Sequence, residues 1–341
     1  MMFQMQPLYA ALAFFLITLI YLGLRKGRET ELDLADLLKG VLFQITRSLQ
    51  IMIQKRHAAN VRETWRPSFV AISSRSLDRL APFDLLRWIS HYYGFGTFFH
   101  YLQGPLNRET HAQSREILDE LIGLGVASRA GIYVDTIVSP SFRTAVAQIV
   151  QAQGVAGMEN NSILFEFRSG SEETLDRIID GSQFADVVGF NTCILRSSER
   201  HFGYRRSIHI WLTPGDYRNA NLMILLAYII MGHSEWKGCE IDIFAAFHKD
   251  EMESQMKRLH ELIDGGRIPV AHKNVQAISY YEESFPWLVA AHSRDADLVI
   301  TGFSLNKLVE DRGAFLKGFE GVNDILFVRA GQHIAITDIP T

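Results

Sequence analysis

Cysteine is nearly missing from this 341-residue chain: Cys193 and Cys239 are the only two. They are isolated, in apolar strand-like surroundings, with no C-x-x-C. A disulfide-stapled scaffold and a cysteine redox motif are therefore excluded, and both read as inert core residues. With 9 Pro and 25 Gly, the chain is neither collagen-like nor low-complexity. Excess positive charge is also lacking: 34 Lys and Arg face 38 Asp and Glu, a net charge of −4. That argues against a nucleic-acid partner held by a basic surface.

The signatures of common chemistries are missing too. No G-x-G-x-x-G follows a strand and no G-x-x-x-x-G-K-[ST] occurs, which disfavours a Rossmann dehydrogenase and a P-loop NTPase. The 12 His are scattered, without H-E-x-x-H, so no metal site is indicated. No G-x-S-x-G elbow occurs. His209 reads as a hydrogen-bonded core histidine. Asp135, Asp216 and Asp242 lie in or near strands, with no base or nucleophile assigned to them. Asp216 follows a strand and reads as a turn or cap residue.

What is present is apolar. Hydrophobic residues make up 48% of the chain, and mean hydropathy is +0.03. Met1 to Leu24 carries no charge, and Arg25-Lys-Gly-Arg28 follows. A helix of about 20 residues spans roughly 30 Å, the thickness of a hydrocarbon core. A signal peptide lacks its basic lead and cleavage site here, and a buried helix is rarely apolar all round. We read residues 1–28 as a transmembrane helix with its basic flank. The flank places everything after about residue 25 in the cytoplasm.

Residues 29–62 read as an amphipathic linker helix. Leu38, Ile45 and Met52, with Leu42 and Leu49, give an a/d-like seam. That seam packs either on its own domain or on a second copy. From Trp65 onward, apolar strands alternate with amphipathic helices. Strands are expected at Ser68–Ser73, Thr97–Leu102, Gly131–Val138, Ser162–Phe167, Val187–Leu195, Ser207–Leu212, Glu240–Phe247, Val275–Ser279, Asp297–Thr301 and Ile325–Val328. Ser139 and Ser171 are expected to cap helices, and one helix is expected over Leu305–Lys317. The fold class is α/β, with mostly parallel sheets flanked by helices. The polar stretch Arg196–Arg206, expected as a solvated hairpin or loop, divides it into lobe 1 (63–203) and lobe 2 (204–341).

Parallel sheets bind ligands beyond the carboxyl ends of their strands. Ser73 and Ser74, after the first strand, are candidate phosphate contacts. Gly154 and Gly157, before the strand Ile163–Phe167, with Ser171, opening the next helix, form a separate candidate anion loop. Each also reads as an ordinary turn or cap.

Several blocks, in order, resemble the cytosolic C-terminal domain of the cation-chloride cotransporters. That family is one of the amino acid–polyamine–organocation superfamily of secondary transporters. Leu8–Leu24 and the linker resemble its last transmembrane helix and connecting helix. Asn60-Val-Arg-Glu-Thr-Trp-Arg-Pro67 resembles its N-[WY]-R-P entry into the domain. Gly154-Val-Ala-Gly157-Met158 with Asn160-Asn161-Ser162 resembles its G-x-G-x-x-P-N-T stretch. Ile208-His-Ile-Trp211-Leu212, Asn221–Tyr228 and Trp236-Lys-Gly-Cys239-Glu-Ile-Asp-Ile-Phe244 resemble its most specific blocks. Asn161 replaces the usual Pro, His209 the usual Asp, and Asp242 a common Arg.

The resemblance implies two universal-stress-protein-like lobes and a homodimer formed through the linker helix and the lobes. It implies regulation of transport by an upstream transmembrane bundle, in the same or a split gene. It implies no catalytic residues, and this chain alone would not transport. It implies no required cofactor, although some members hold a nucleotide such as ATP or ADP. The universal-stress signature G-x2-G-x9-G-[ST] is met at Gly154 and Gly157, but Gly170-Ser171 comes three residues late. The alternative function is a membrane-anchored, universal-stress-like nucleotide sensor.

Overall fold

The computed structural model describes residues 34–57, 65–92, 94–128, 130–152, 154, 159–168, 172–265, 274–279, 285–332 and 334, with scattered positions between 11 and 18. The chain divides into two compact units, Met1–Val61 and Arg62–Thr341.

In the first unit, helix α1 spans Leu34–His57. The seam positions Leu42, Ile45, Leu49 and Met52 are 65%, 51%, 49% and 46% exposed, and Phe43 is exposed beside them. The expected membrane segment and basic flank, residues 1–28, lie outside the described residues apart from those scattered positions. Among the described residues, no helix is long and apolar enough to cross a membrane.

The second unit is built on one sheet of ten strands in the order β3-β2-β1-β4-β5-β10-β9-β6-β7-β8. The strands are β1 Ser68–Ser73, β2 Phe95–Gln103, β3 Tyr133–Ser139, β4 Ser162–Arg168, β5 Asn191–Ser197, β6 Ser207–Leu212, β7 Glu240–Phe247, β8 Val275–Ser279, β9 Leu298–Gly302 and β10 Ile325–Arg329. The helices between them are α2 Ala81–Ser90, α3 Arg108–Ala127, α4 Phe142–Gln151, α5 Glu172–Val187, α6 Tyr217–Met231, α7 Met252–Gly265, α8 Phe285–Ser293, α9 Leu305–Glu310 and α10 Ala314–Lys317.

The sheet contains the same walk twice. Strands β1–β5 lie in the order 3-2-1-4-5, and β6–β10 repeat it. In each half, helices after the first two strands cover one face: α2 and α3, then α6 and α7. Helices after the third and fourth cover the other: α4 and α5, then α8 to α10. Right-handed crossovers require this change of face where the strand order reverses. Alternate residues feed the two cores, Phe69 and Ala71 on one side, Val70 and Ile72 on the other. Strands buried on both faces must read as continuous apolar runs, which is how Ser68–Ser73 reads.

The two expected lobes thus share a single sheet. They join where β5 and β10 pair antiparallel, Arg196 opposite Ile325 and Thr192 opposite Arg329. All other strand pairs are parallel.

Four expectations are corrected. Ser139 is the last residue of β3, and Ser141 caps α4 instead, in a reciprocal capping box with Thr144. The N-cap must accept from the third helical N–H, and Ser141 stands at that spacing. Val187 ends α5, and β5 begins only at Asn191, because Gly189 turns the chain at φ +71°. The helix expected over Leu305–Lys317 breaks at Arg312 and Gly313, both at positive φ. Asp311 holds the break by accepting from Gly313 N (2.8 Å) and Phe315 N (3.0 Å). Finally, Arg196–Arg206 is no solvated loop throughout. Its first two residues complete β5, and Phe202 is fully buried. Ser171 lies outside the described residues.

Candidate functional site

Each half has one point where the strand order reverses, between β1 and β4 and between β6 and β9. Ligands of open α/β sheets bind beyond the carboxyl ends of the strands there. In the first half that position is filled by the protein's own polar groups. Ser73 is buried; its Oγ accepts from Arg75 N (3.1 Å) and its carbonyl accepts from Ser76 Oγ (3.4 Å). Ser76 Oγ lies 2.9 Å from His100 Nδ1, and burial lowers the pKa of that imidazole. Glu166, on β4, is buried, paired with Arg79 at 3.3 Å and hydrogen-bonded by Ser197. Ser74 is exposed.

Gly154 stands elsewhere. β1 and β4 run parallel, with Phe69 opposite Ser162. Gly154 precedes β4 and so belongs to the amino end of the strands, whereas Ser73 ends β1. Six residues of strand at about 3.3 Å each put them roughly 20 Å apart. Ser73 and Gly154 therefore do not form one anion site. A glycine-rich loop has the same composition at either end of a strand; only chain direction distinguishes them. Gly157 and Ser171 lie outside the described residues.

The amino end carries an asparagine cluster that sequence reasoning missed. Asn161 Oδ1 accepts from Ser68 N (3.1 Å), and its Nδ2 donates to the Arg66 carbonyl (2.6 Å). Asn160 Oδ1 accepts from Ser68 Oγ (3.2 Å). Asn191 donates to the Asn161 carbonyl (3.2 Å) and accepts from Gly331 N (3.0 Å). These amides tie β1, β4 and β5 to the chain leaving β10.

The second reversal point has its own carboxylate. Asp216 is buried in the turn after β6. It accepts from Thr213 N (3.0 Å), Thr213 Oγ1 (2.6 Å) and Asn219 Nδ2 (3.2 Å). Burial raises its carboxyl pKa, and these hydrogen bonds pull against the rise. Asn219 Oδ1 in turn accepts from Ala330 N (2.9 Å). Asp216 thus serves as the turn residue its sequence context suggested. Both reversal points carry a buried carboxylate where an incoming phosphate would need positive charge.

His209, Ser293 and Asp242 come together unexpectedly. His209 Nδ1 lies 2.8 Å from Ser293 Oγ, and its Nε2 lies 3.8 Å from Asp242 Oδ2. The residue types match a hydrolytic triad, but the environment does not. Ser293 has no exposed surface, and Trp211 Nε1 donates to the same Oγ at 2.9 Å. A nucleophile must meet substrate, and this hydroxyl is sealed under an indole. Burial lowers the pKa of His209, against the opposing charges of Asp242 and Asp297. The trio is a part-buried polar network joining β6, β7 and α8, with only Ser293 fully buried. Among the described residues, no group of acidic, His or Cys side chains is arranged to hold a metal. Burial pushes the Cys239 thiol up to about 12 and raises Cys193 further, so both stay protonated.

The joint between the halves carries a polar network of its own. Buried Arg196, at the end of β5, donates to the carbonyls of Phe319 (2.9 Å) and Val322 (2.7 Å) in the second half. Burial pushes its pKa down to about 10 against the pull of Asp324. Asp324 accepts from Ser198 N and Phe202 N, each at 2.8 Å. Asp297 accepts from Tyr204 N (3.0 Å) and Arg206 N (2.7 Å). His201, Phe202, Gly203 and Arg205 all have positive φ. The two carboxylates hold this strained turn, and Phe202 enters beside Trp88, ring centroids 4.8 Å apart.

No protein-family model matches the chain. The fold has solved counterparts. The cytoplasmic domain of a prokaryotic cation chloride cotransporter superposes with a TM-score of 0.55 at 15% identity, covering 80% of this chain and 99% of that one. A universal stress protein from Archaeoglobus fulgidus DSM 4304 superposes with a TM-score of 0.50 at 12% identity, covering 78% and 97%. This is a mixed α/β fold with a mostly parallel sheet, shared with both.

Proposed function

We propose that this chain is the C-terminal regulatory and dimerisation portion of a cation-chloride-cotransporter-like secondary transporter, of the amino acid–polyamine–organocation type. It is membrane-attached through residues 1–28, with its α/β body in the cytoplasm. The observation that carries the reading is the shared fold over 99% of the cotransporter domain's length. The order of the sequence blocks supports it. So does the exposed apolar seam of α1, which has the spacing a partner helix requires. A homodimer through α1 and the α/β body buries that seam. The chain supplies regulation, and an upstream transmembrane bundle supplies the ion path. The internal polar groups of the body serve structure rather than catalysis.

Two measurements test this. Sedimentation of the full chain in mild detergent is expected to give the mass of two chains; one chain at tens of micromolar overturns the dimer. Reconstituted alone into vesicles, the chain is expected to add no potassium or chloride flux. Flux above that of empty vesicles overturns the regulatory reading.

The nucleotide-sensor alternative draws on the universal-stress likeness. It is the weaker reading, because Glu166 and Asp216 occupy the strand ends where phosphates would sit.

A further inference from the structure

Two histidines meet across the joint between the halves. His91 closes α2, in the first half, and His233 follows α6, in the second. Their ring centroids are 5.0 Å apart at 80°. Both rings are half-buried. Under them lies the aromatic cluster of Trp88, Trp236 and Phe202, all fully buried, with the indoles 5.3 Å apart.

The hydrogen bonds fix how each ring takes part. His233 Nδ1 faces Glu235 N at 3.2 Å. A backbone N–H only donates, so Nδ1 must hold a lone pair there. His91 Nδ1 lies 2.7 Å from the Trp88 carbonyl, which only accepts, so that nitrogen carries the hydrogen. His91 Nε2 is buried with no hydrogen-bond partner. The His233 ring is therefore held as a neutral imidazole, and His91 offers one filled and one unpartnered nitrogen.

A second proton has no suitable place on either ring. On His233 it would take the lone pair that receives Glu235 N. On His91 it would put an N–H where no acceptor waits. The surrounding charge makes matters worse. Arg87 pairs with Asp84 (2.9 Å) and with Glu235, and Arg205 pairs with Glu235 (2.5 Å) while lying 5.0 Å from the Trp88 ring. Trp88 Nε1 also donates to Glu235 (3.3 Å). Two cations and two carboxylates already balance. Protonating both imidazoles would leave the cluster two charges positive, and its nearest carboxylate is already shared by two arginines.

We propose that the His91–His233 contact is an acid-sensitive latch. Protonation separates the end of α2 from the turn 232–236 and opens the Trp88–Trp236 cluster at the joint. The latch stands on this geometry alone and does not rest on the transporter reading. Burial lowers the pKa of His233, with the charges of His91, Arg87 and Arg205 acting the same way and Glu235 opposing. The sign follows. The unfolded or opened form binds protons first, so closure is complete above the ordinary imidazole value near 6.5 and is lost as pH falls below it.

The test uses the full chain in mild detergent. Between pH 7.5 and 5.5, tryptophan emission is expected to shift to longer wavelength. Amide exchange over residues 232–240, corrected for its intrinsic pH dependence, is expected to speed at least about tenfold, the equivalent of 1.4 kcal/mol. H91Q/H233Q is expected to abolish both changes. Unchanged exchange in the wild-type chain overturns the latch, as does a transition that survives in a folded H91Q/H233Q. Should that variant not fold, the wild-type exchange at 232–240 decides the matter by itself.

Discussion

Asp216 rests its carboxylate directly on the bare backbone of Gly302. A Cβ added at Gly302 would stand 1.6 Å from Asp216 Oδ1 and 2.9 Å from Asn219 Nδ2. The turn after β6 and the end of β9 are thus fitted to each other, with a buried carboxyl group in the place a side chain would occupy. Gly302→Ala must displace a carboxylate held by three hydrogen bonds. It is expected to cost at least about 2 kcal/mol, at the upper part of the overpacking range. Urea denaturation of the full chain reads this; a loss under about 0.5 kcal/mol would contradict the packing described.

Ser293→Ala removes the one atom that satisfies both Trp211 Nε1 and His209 Nδ1. Each buried group left unpaired costs about 1–3 kcal/mol. Stability is therefore expected to drop by roughly 2 kcal/mol or more. A fluorophosphonate probe, which labels accessible serine nucleophiles, is expected to leave the wild-type chain unmodified. Labelling at Ser293 would show that the hydroxyl works catalytically.

Arg196→Ala should be among the most damaging changes in the joint. It strips a cation from the carbonyls of Phe319 and Val322. Hydrogen bonds to charged groups contribute about 1.5–3 kcal/mol each, so a loss of roughly 3 kcal/mol is expected. The chemical denaturation midpoint would show it. A near-neutral result would mean the halves are held by the strand pairing alone.

L42D/L49D places two charges on the exposed seam of α1, where both leucines already face outward. The variant is expected to remain folded and to sediment as a single chain. Retention of the wild-type mass would remove α1 from the dimer contact.

ATP and ADP at millimolar concentration are expected to give no binding heat. The buried carboxyl groups of Glu166 and Asp216 fill both reversal points. Saturable binding would favour the sensor reading instead.

The strands were the most legible part of the sequence. β1, β6, β7 and β8 fall on the residues expected; in β1 and β7 the reason is that runs such as Ile241–Phe247 must be buried on both faces. The buried polar network was not legible. His209 and Ser293 are 84 positions apart, and nothing local in either segment announces the other. The break at Gly313 was hidden because both helices flanking it keep one apolar stripe. The candidate anion loop falls in part outside the described residues, where Gly157 and Ser171 lie. Its residues were read by type, while their place depends on which end of β4 the chain enters. Asn161, noted only as a departure from a family pattern, proves to bond β1 at its first residue.

The antiparallel seam between β5 and β10 has a consequence for symmetry. Two separate five-stranded chains meeting along their last strands would be related by a two-fold axis, and their strand-end rims would be identical. Fused in tandem, the halves escape that constraint. One rim has settled on Glu166 with Arg79, the other on Asp216 with Gly302. Because the seam is antiparallel, the two rims also lie on opposite margins of the sheet. A pair of these chains would therefore present two rims of each kind, and a mutation in one half would alter a single kind while its counterpart stayed as it was.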